Sequence, residues 1–204
     1  MATPEIILLG GGQHAHVVLD CLLGQHADVI ALFDTRYQGD LFGVPQRGEY
    51  DPEFHPTALS IVAIGENATR KRVVAQSKHA FTNAIHSSSI ISQHCKVGTG
   101  NMILHGAIIQ ALASIGNHTI INTGTQVDHH CIIEDFVHLA PGVILCGNVQ
   151  VGEGTLVGAG ATVIPGKKIG KWATIGAGAV VINDIPDYAV AVGNPARIVK
   201  YNKP

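Results

Sequence analysis

Residues 97–121 read VGTGNMILHGAIIQALASIGNHTII and decide the fold, because a large aliphatic residue recurs in them every six positions. The same spacing runs without an insertion from Ile85 to Val181, where seventeen consecutive positions are Ile, Val or Leu. A period of six fits neither a helix nor a simple alternating strand. It favours a prism of short strands that closes every three repeats, with the aliphatic side chains inside and successive coils about 4.8 Å apart.

Small residues hold fixed places in this repeat. Gly follows the aliphatic residue at six positions between Gly98 and Gly176, and a small residue mostly stands four places after the aliphatic one. We expect these glycines to ease the corners of the coil. The repeat therefore predicts an all-β parallel β-helix over residues 85–186. An open end would expose unpaired backbone, so we expect the tail, 187–204, to cover one end and residues 1–84 the other.

The first 84 residues carry a different pattern, in which apolar runs alternate with helical spacing. It predicts strands at 5–9, 29–34 and 61–65, and helices at 13–23 and 67–78, the second capped by Asn67. A strand, a glycine turn, a helix and a strand form a βαβ unit, which implies a parallel sheet. Residues 1–84 are therefore predicted to form a Rossmann-like α/β domain.

The glycine turn of this domain is a candidate phosphate site. Gly10, Gly11 and Gly12 precede a predicted helix, whose free N–H groups and dipole can hold a phosphate. Asp34 stands where a ribose-binding acid would. The turn lacks the full GxGxxG spacing, so a tight bend without a ligand remains an open alternative.

Composition excludes several classes of protein. Charged residues are 14 % of the chain and the net charge is −2, so no basic field favours nucleic acid or an anionic membrane. The apolar runs are strand-length, too short to insert in a membrane, and the first residues do not resemble a signal peptide. The four cysteines form no CxxC pair and no metal-ligand spacing, which is typical of reduced thiols in a cytoplasmic protein.

Four stretches resemble a known family. Residues 192–197 read VGNPAR, 9–18 read LGGGQHAHVV, 63–67 read AIGEN and 121–140 read INTGTQVDHHCIIEDFVHLA. In these the chain resembles the left-handed β-helix sugar acyltransferases of the sialic acid O-acetyltransferase and bacillosamine N-acetyltransferase type. The resemblance implies a left-handed coil, acetyl-CoA as co-substrate, a nucleotide-sugar substrate and a homotrimer.

The resemblance also implies a set of site residues. The catalytic base would be His129, in a V-D-H-x-C context. Acetyl-CoA would lie near Asn122, His138, Gly147, Ala177 and Arg197. The nucleotide of an activated sugar would lie near Gly10, Gly11, Gly12, Gln13, His14, Asp34, Gly65 and Glu66. No metal ligand is implied.

The chain departs from the family pattern at two positions. Gln13 replaces a usual glycine and narrows the predicted phosphate turn, and His130 replaces the usual acid after the base. A base usually needs an acceptor for its second nitrogen. Asp135, which matches the acid before an aromatic residue in the family, and Asp128 are the candidates.

The predicted activity is transfer of an acetyl group to the amino group of a nucleotide-activated sugar, such as a 4-amino-4,6-dideoxyhexose. An amine tolerates a poorly oriented base better than a hydroxyl does, which favours N- over O-acetylation. O-acetylation of a sugar such as a sialic acid is the alternative, followed by a non-catalytic trimeric scaffold. A zinc enzyme with three histidines fits poorly, because His94 and His130 have the spacing but position 135 is Asp.

Overall fold

The computed structural model describes residues 3–36 and 39–203. Residues 1, 2, 37 and 38 of the predicted α/β domain and Pro204 of the predicted tail lie outside the described residues. The α/β domain contains β1 (Glu5–Leu9), α1 (Gln13–Leu23), β2 (Asp28–Phe33), β3 (Gly39–Leu41), β4 (Val44–Arg47), β5 (Leu59–Val62) and α2 (Asn67–Gln76). Its sheet has the order β3-β4-β2-β1-β5, and β1 is parallel to both β2 and β5.

The sequence predicts the parallel core of this domain but not its edge. Helix α1 buries Ala15, Val18, Leu19 and Leu22 at helical spacing, as expected. The antiparallel hairpin of β3 and β4 was not predicted, because GDL and VPQR lack an alternating apolar pattern. The predicted cap of α2 is wrong by one residue: Glu66 is the N-cap and accepts from the N–H groups of Ala68 and Thr69.

Residues from 84 onward form a three-sided parallel coil. The first face consists of β6 (Ala84–Ile85), β9 (Met102–Ile103), β12 (Ile120–Ile121), β15 (His138–Leu139), β18 (Leu156–Val157) and β21 (Thr174–Ile175). The second consists of β7 (Ile90–Ile91), β10 (Ile108–Ile109), β13 (Gln126–Val127), β16 (Ile144–Leu145), β19 (Thr162–Val163) and β22 (Val180–Val181). The third consists of β8 (Lys96–Val97), β11 (Ser114–Ile115), β14 (Ile132–Ile133), β17 (Gln150–Val151) and β20 (Lys168–Ile169).

The aliphatic repeat fills the interior of the coil, as predicted. Each of the seventeen positions is the second residue of a two-residue strand, and it pairs with the residue 18 positions away, as Ile103 does with Ile121. From Ile103 to Val181 these side chains are buried. Ile85, Ile91 and Val97 are only half-buried, because no coil lies before the first one.

The corners of the coil differ from the expectation. The backbone takes positive φ, between 53° and 72°, at every sixth residue from Gly100 to Gly178, three places after each aliphatic residue. The glycines directly after the aliphatic residue do not have positive φ. They allow close stacking, since a Cβ on Gly98 would lie 2.5 Å from the carbonyl oxygen of Gly116 in the next coil. Glycine therefore recurs at these positions because the distance between successive coils leaves no room for a Cβ atom.

The two ends of the coil differ in which part of the chain packs against them. The tail packs at one end: β23 (Ala189–Val192) extends the first face, β24 (Arg197–Tyr201) pairs antiparallel with it, and Ala189, Ala191 and Ala196 are buried. The α/β domain does not close the other end. It packs beside the coil, where Ala84, Met102 and Ile120 of the first face join the core of α1. Within the described residues, no helix is long and apolar enough to cross a membrane.

Candidate active site

We name the edges of the prism by the faces that they join. Edge A joins the first and second faces, edge B the second and third, and edge C the third and first. The predicted base, His129, lies on edge B two residues after β13 and is about half exposed. Its ring lies against Gly147, one coil further along the same edge: a Cβ on Gly147 would lie 2.5 Å from Cε1 and 2.7 Å from Nε2 of His129. Glycine at 147 thus makes room for the predicted base.

The residues on either side of His129 in the sequence form hydrogen bonds with its backbone N–H and with its ring. Asp128 Oδ1 accepts a hydrogen bond from the His129 backbone N–H at 2.7 Å. The Nδ1 atoms of His129 and His130 are 3.0 Å apart, so one of these nitrogens donates to the other. His130 takes a positive φ of 60° at its corner position. The second nitrogen of the predicted base therefore has a histidine partner.

The other candidate acid lies elsewhere. Asp135 is on edge C, where its Oδ1 accepts from the backbone N–H of Asn117 at 2.7 Å and from its side-chain amide at 3.2 Å. Within one chain Asp135 is thus one face away from His129. The structure does not bring these two predicted residues together.

The predicted acetyl-CoA residues divide between two edges. Gly147 lies on edge B with His129, whereas Asn122 and the exposed Ala177 lie on edge A. His138 lies on the first face beside edge A, and its Nε2 accepts from Asn122 Nδ2 at 3.2 Å. Arg197, in β24, is exposed. A single chain therefore presents two separate halves of the predicted site.

His138 also links the coil to the α/β domain. Its Nδ1–H donates to the carbonyl oxygen of Gly65 at 3.2 Å, and its ring lies 6.1 Å from that of His14. Burial and the nearby Arg70 lower the pKa of His138 to about 4, and the same two causes lower the pKa of His14 to about 4. Both rings are neutral at pH 7. His14 Nε2 is buried without a protein partner.

Arg70 joins the two domains, although no motif in the sequence distinguishes it. It is fully buried, and its guanidinium donates to four backbone carbonyls. Two belong to the α/β domain, at Ile64 and Gly65, and two to edge C, at His118 and Phe136. Asn67 adds bonds from its side-chain amide to the carbonyls of Gly154 and Thr155. Burial lowers the pKa of Arg70 to about 10, which still leaves it charged at pH 7.

The glycine turn is shaped by Asp34. Gly10 has a φ of 110°, and a Cβ there would lie 2.8 Å from Ile64, so glycine is required. The carboxylate of Asp34 accepts from the backbone N–H groups of Gly11 and Arg36, each at 2.9 Å. Burial raises the pKa of Asp34, but these hydrogen bonds outweigh it and leave the pKa below its usual value. Helix α1 begins at Gln13 without a side-chain cap.

Two cavities adjoin these residues. A crevice of about 440 Å³ at the carboxyl ends of β1 and β2 is lined by Gly10, Asp34, Arg36, Tyr50 and Arg72, among others. A pocket of about 400 Å³ lies between the α/β domain, the first face and the tail. Gly65, Glu66, His138, Trp172 and Asn202 are among the residues that line it. Four of the predicted nucleotide residues line these cavities, Gly10 and Asp34 the crevice and Gly65 and Glu66 the pocket, whereas Gly11, Gly12, Gln13 and His14 line neither.

Glu66 has a structural role that the resemblance does not imply. Besides lining the pocket, it caps α2, with its Oε2 accepting from Thr69 N–H at 2.6 Å. Burial raises the pKa of Glu66, but the bonds from Thr69 and Ala68 outweigh burial and lower it overall. Within the described residues, no group of three or more His, Cys, Asp or Glu could hold a metal ion.

Both parts of the chain match known protein families. Residues 5–77 match the PglD N-terminal domain, and residues 148–183 match six bacterial transferase hexapeptide repeats. A variant of perosamine N-acetyltransferase from Caulobacter crescentus, in complex with CoA and GDP-perosamine, superimposes with a TM-score of 0.93. It is 36 % identical, and the match covers 98 % of each chain. The chain belongs to the left-handed β-helix sugar acyltransferases.

Other members of these acyltransferases show the same architecture. The acetyltransferase domain of PglB from Neisseria gonorrhoeae, in complex with acetyl coenzyme A, is 30 % identical over 97 % of this chain and all of that domain, with a TM-score of 0.91. A dTDP-3-amino-3,6-dideoxy-alpha-D-galactopyranose 3-N-acetyltransferase from Aneurinibacillus thermoaerophilus is 47 % identical over 55 residues, 27 % of this chain. That match spans only 29 % of the curated relative's length. The fold is therefore an α/β domain followed by a left-handed parallel β-helix, as predicted.

Proposed function

We propose that the protein transfers the acetyl group of acetyl-CoA to the amino group of a nucleotide-linked amino sugar, with His129 as the general base. The observation that carries this proposal is the His129 ring on edge B, half exposed and seated against a glycine that leaves it room. The likeness to the Caulobacter enzyme, bound to CoA and a GDP-linked amino sugar, supports the substrate class. In that structure one histidine is replaced by asparagine.

The proposed step forms an amide and releases a thiol. The neutral amine attacks the thioester carbonyl carbon, and the carbon–sulfur bond breaks. Nε2 of His129 takes the proton that the amine nitrogen loses and returns it to the departing thiolate. Backbone N–H groups on edge B meet the oxygen that becomes negative during attack. The products are the N-acetylated sugar and CoA with a free thiol.

The acetyl-CoA site requires a second chain in this proposal. His129 and Gly147 lie on edge B, whereas Asn122 and Ala177 lie on edge A, so edge B of one copy has to face edge A of the next. Three copies that repeat this contact close a ring, which is a homotrimer. Exposed aliphatic side chains flank edge B and support a contact there: Ile90, Leu112, Ile132 and Ile144. Light scattering tests this arrangement, and an active monomer would contradict it.

The nucleotide-sugar is proposed to occupy the two cavities of the α/β domain. The crevice beside Gly10 and Asp34 lies at the carboxyl ends of parallel strands, where α/β folds bind nucleotides. The pocket beside Gly65 and His138 lies next to it, toward the coil, and suits the sugar. We propose that the sugar is a 4-amino-4,6-dideoxyhexose. The cytoplasmic location of the protein stays a prediction.

The test uses acetyl-CoA with a panel of nucleoside-diphosphate-linked 4-amino-4,6-dideoxyhexoses and mass spectrometry of the sugar product. We expect acetylation of the amine, and a loss of about 10²- to 10⁴-fold in kcat for His129→Asn. The same sugars with a hydroxyl in place of the amine test O-acetylation. If calorimetry shows that the protein does not bind acetyl-CoA, the scaffold alternative replaces this proposal.

A further inference from the structure

His129 has an unusual partner for its second nitrogen. In the family that the chain resembles, an acid follows the catalytic histidine, but here His130 stands in that place. The two Nδ1 atoms are 3.0 Å apart, which is hydrogen-bond distance. A carboxylate can only accept such a bond, whereas an imidazole can accept or donate. The direction of this bond therefore decides whether His129 can act as a base.

The direction follows from the proton that a base has to take up. A neutral imidazole carries one N–H, and its other nitrogen has the free lone pair. If His130 donated to His129 Nδ1, the proton of His129 would sit on Nε2 and block the proposed base. If His129 Nδ1–H donates to His130 Nδ1, the Nε2 lone pair of His129 remains free. An active His129 thus requires a neutral His130 that accepts.

The two carboxylates near this edge do not compete for that role. Asp128 Oδ2 lies 4.0 Å from Nε2 of His129, which is the wrong nitrogen and beyond hydrogen-bond distance. Asp135 is held by Asn117 on edge C. The remaining titratable groups of this corner are thiols, of which Cys131 is neutral because burial raises its pKa to about 11, and Cys146 adjoins Gly147.

We propose that His130 is a positioning residue that accepts the Nδ1–H of His129 and so holds the base in the tautomer with a free Nε2. This inference rests on the proposed function, in which His129 is the base. It assigns to a neutral histidine the place that an acid has in the resembling family. The imidazolium that forms on His129 then keeps the same bond, with a histidine rather than a carboxylate at its Nδ1.

The corner position of His130 allows variants that should not disturb the fold. Its φ is 60°, and glycine occupies eight of the fourteen corner positions of this series, so His130→Gly relieves backbone strain while it removes the acceptor. Asparagine and aspartate also tolerate positive φ. His130→Asn keeps a neutral acceptor near the place of Nδ1, and His130→Asp supplies a charged one. Asn148→Gly is the matched control, one coil along the same edge at a φ of 61°.

The first experiment measures kcat, KM and their pH dependence in the full-length protein. We expect His130→Gly to lower kcat by about three- to tenfold, the range for one neutral hydrogen bond, with little change in KM for acetyl-CoA. His130→Asn should restore most of kcat. His130→Asp should move the acidic limb of the profile to higher pH, because a carboxylate stabilises the imidazolium. Asn148→Gly should leave both unchanged.

The second experiment does not depend on activity. Nitrogen chemical shifts of ¹⁵N-histidine-labelled protein, assigned with His129→Asn, report which nitrogen of His129 carries the proton. We expect Nδ1–H in the wild type and a shift toward Nε2–H in His130→Gly. An Nε2–H tautomer in the wild type, or full kcat in His130→Gly, would overturn the inference. A wild type without transferase activity but with the Nδ1–H tautomer would instead refute the proposed function alone.

Discussion

Acidification should unfold this protein because three neutral histidines are buried where the domains meet. Burial, with Arg70 as the second cause, lowers the pKa of His14, His118 and His138 to about 4 from an ordinary value near 6.5. As pH falls below 6.5, the unfolded chain binds protons at these residues and the folded chain does not. The stability that depends on these neutral histidines is therefore fully present above about pH 6.5 and declines toward pH 4.

The magnitude follows from these values. At pH 5 each histidine with a folded pKa near 4 costs about 2 kcal/mol of unfolding free energy, so the three together cost about 6 kcal/mol. Asp34 and Glu66 contribute in a lower window, since their pKa values are lowered in the folded state and their effect is lost only as pH falls through the acidic range. The loss of unfolding free energy between pH 7 and 5 therefore reports on the histidines and not on these two carboxylates.

Urea unfolding at pH 7, 6 and 5, at one fixed protein concentration, measures this loss. His118→Phe is the informative variant, because Nδ1 of His118 has no partner and its ring already stacks on Phe136. It should reduce the loss between pH 7 and 5 by about 2 kcal/mol. His26→Asn, at an exposed position, should leave the loss unchanged. An equal loss in His118→Phe and the wild type would refute the reasoning.

Three further predictions concern the coil and its junction. Gly147→Ala should displace the His129 ring, which a Cβ would approach to 2.5 Å, and lower kcat by roughly 10²-fold without changing the melting temperature; unchanged kcat would contradict the placement of the base. Ile121→Asp should bury an unpaired charge and unfold the coil, whereas Ile121→Val should cost only about 1 kcal/mol in urea unfolding. Melting of Ile121→Asp like the wild type would disprove the register. Arg70→Met should cost about 3–5 kcal/mol at pH 7 by urea unfolding, because it leaves carbonyls on both domains without a donor. It should also reduce the further loss at pH 5, since the cation that lowers the pKa of the three histidines is gone; an unchanged loss would show that burial alone lowers them.

The interior of the coil could be predicted because every six-residue repeat places its aliphatic side chain in the same surroundings. One aliphatic residue in every six always faces inward, so Ile85 and Val181 follow the same rule although 96 residues separate them. The contact of His129 with Gly147 has the same origin, since residues 18 apart stack on one edge. The period also explains why Asn122 and His129 lie on different edges. Corners recur every six residues, and these two residues are seven apart.

The junction between the domains could not be predicted in this way. Arg70 binds backbone carbonyls, which every residue possesses, so no side-chain pattern marks its partners. A weaker signal was present on the first face. Its outward residues Ala84, Met102 and Ile120 are apolar, where an exposed face would be polar, and these are the residues that α1 covers. Apolar residues at outward positions with 18-residue spacing therefore indicate a face that is covered.

The way α2 is held on edge C raises the question of what prevents it from slipping by one coil. The carbonyls that receive Arg70 and Asn67, at His118, Phe136 and Gly154, are 18 residues apart and repeat almost identically along the edge. A shift of about 4.8 Å would offer the helix an equivalent set. The corner side chains break this equivalence, because the rings at 118 and 136 are followed by Gly154, and the ring of Trp172 from the next coil packs directly against that glycine. Lys71 Nζ lies 5.7 Å from the centre of the Phe136 ring and 5.4 Å from that of Trp172, so the helix fits this edge at one position.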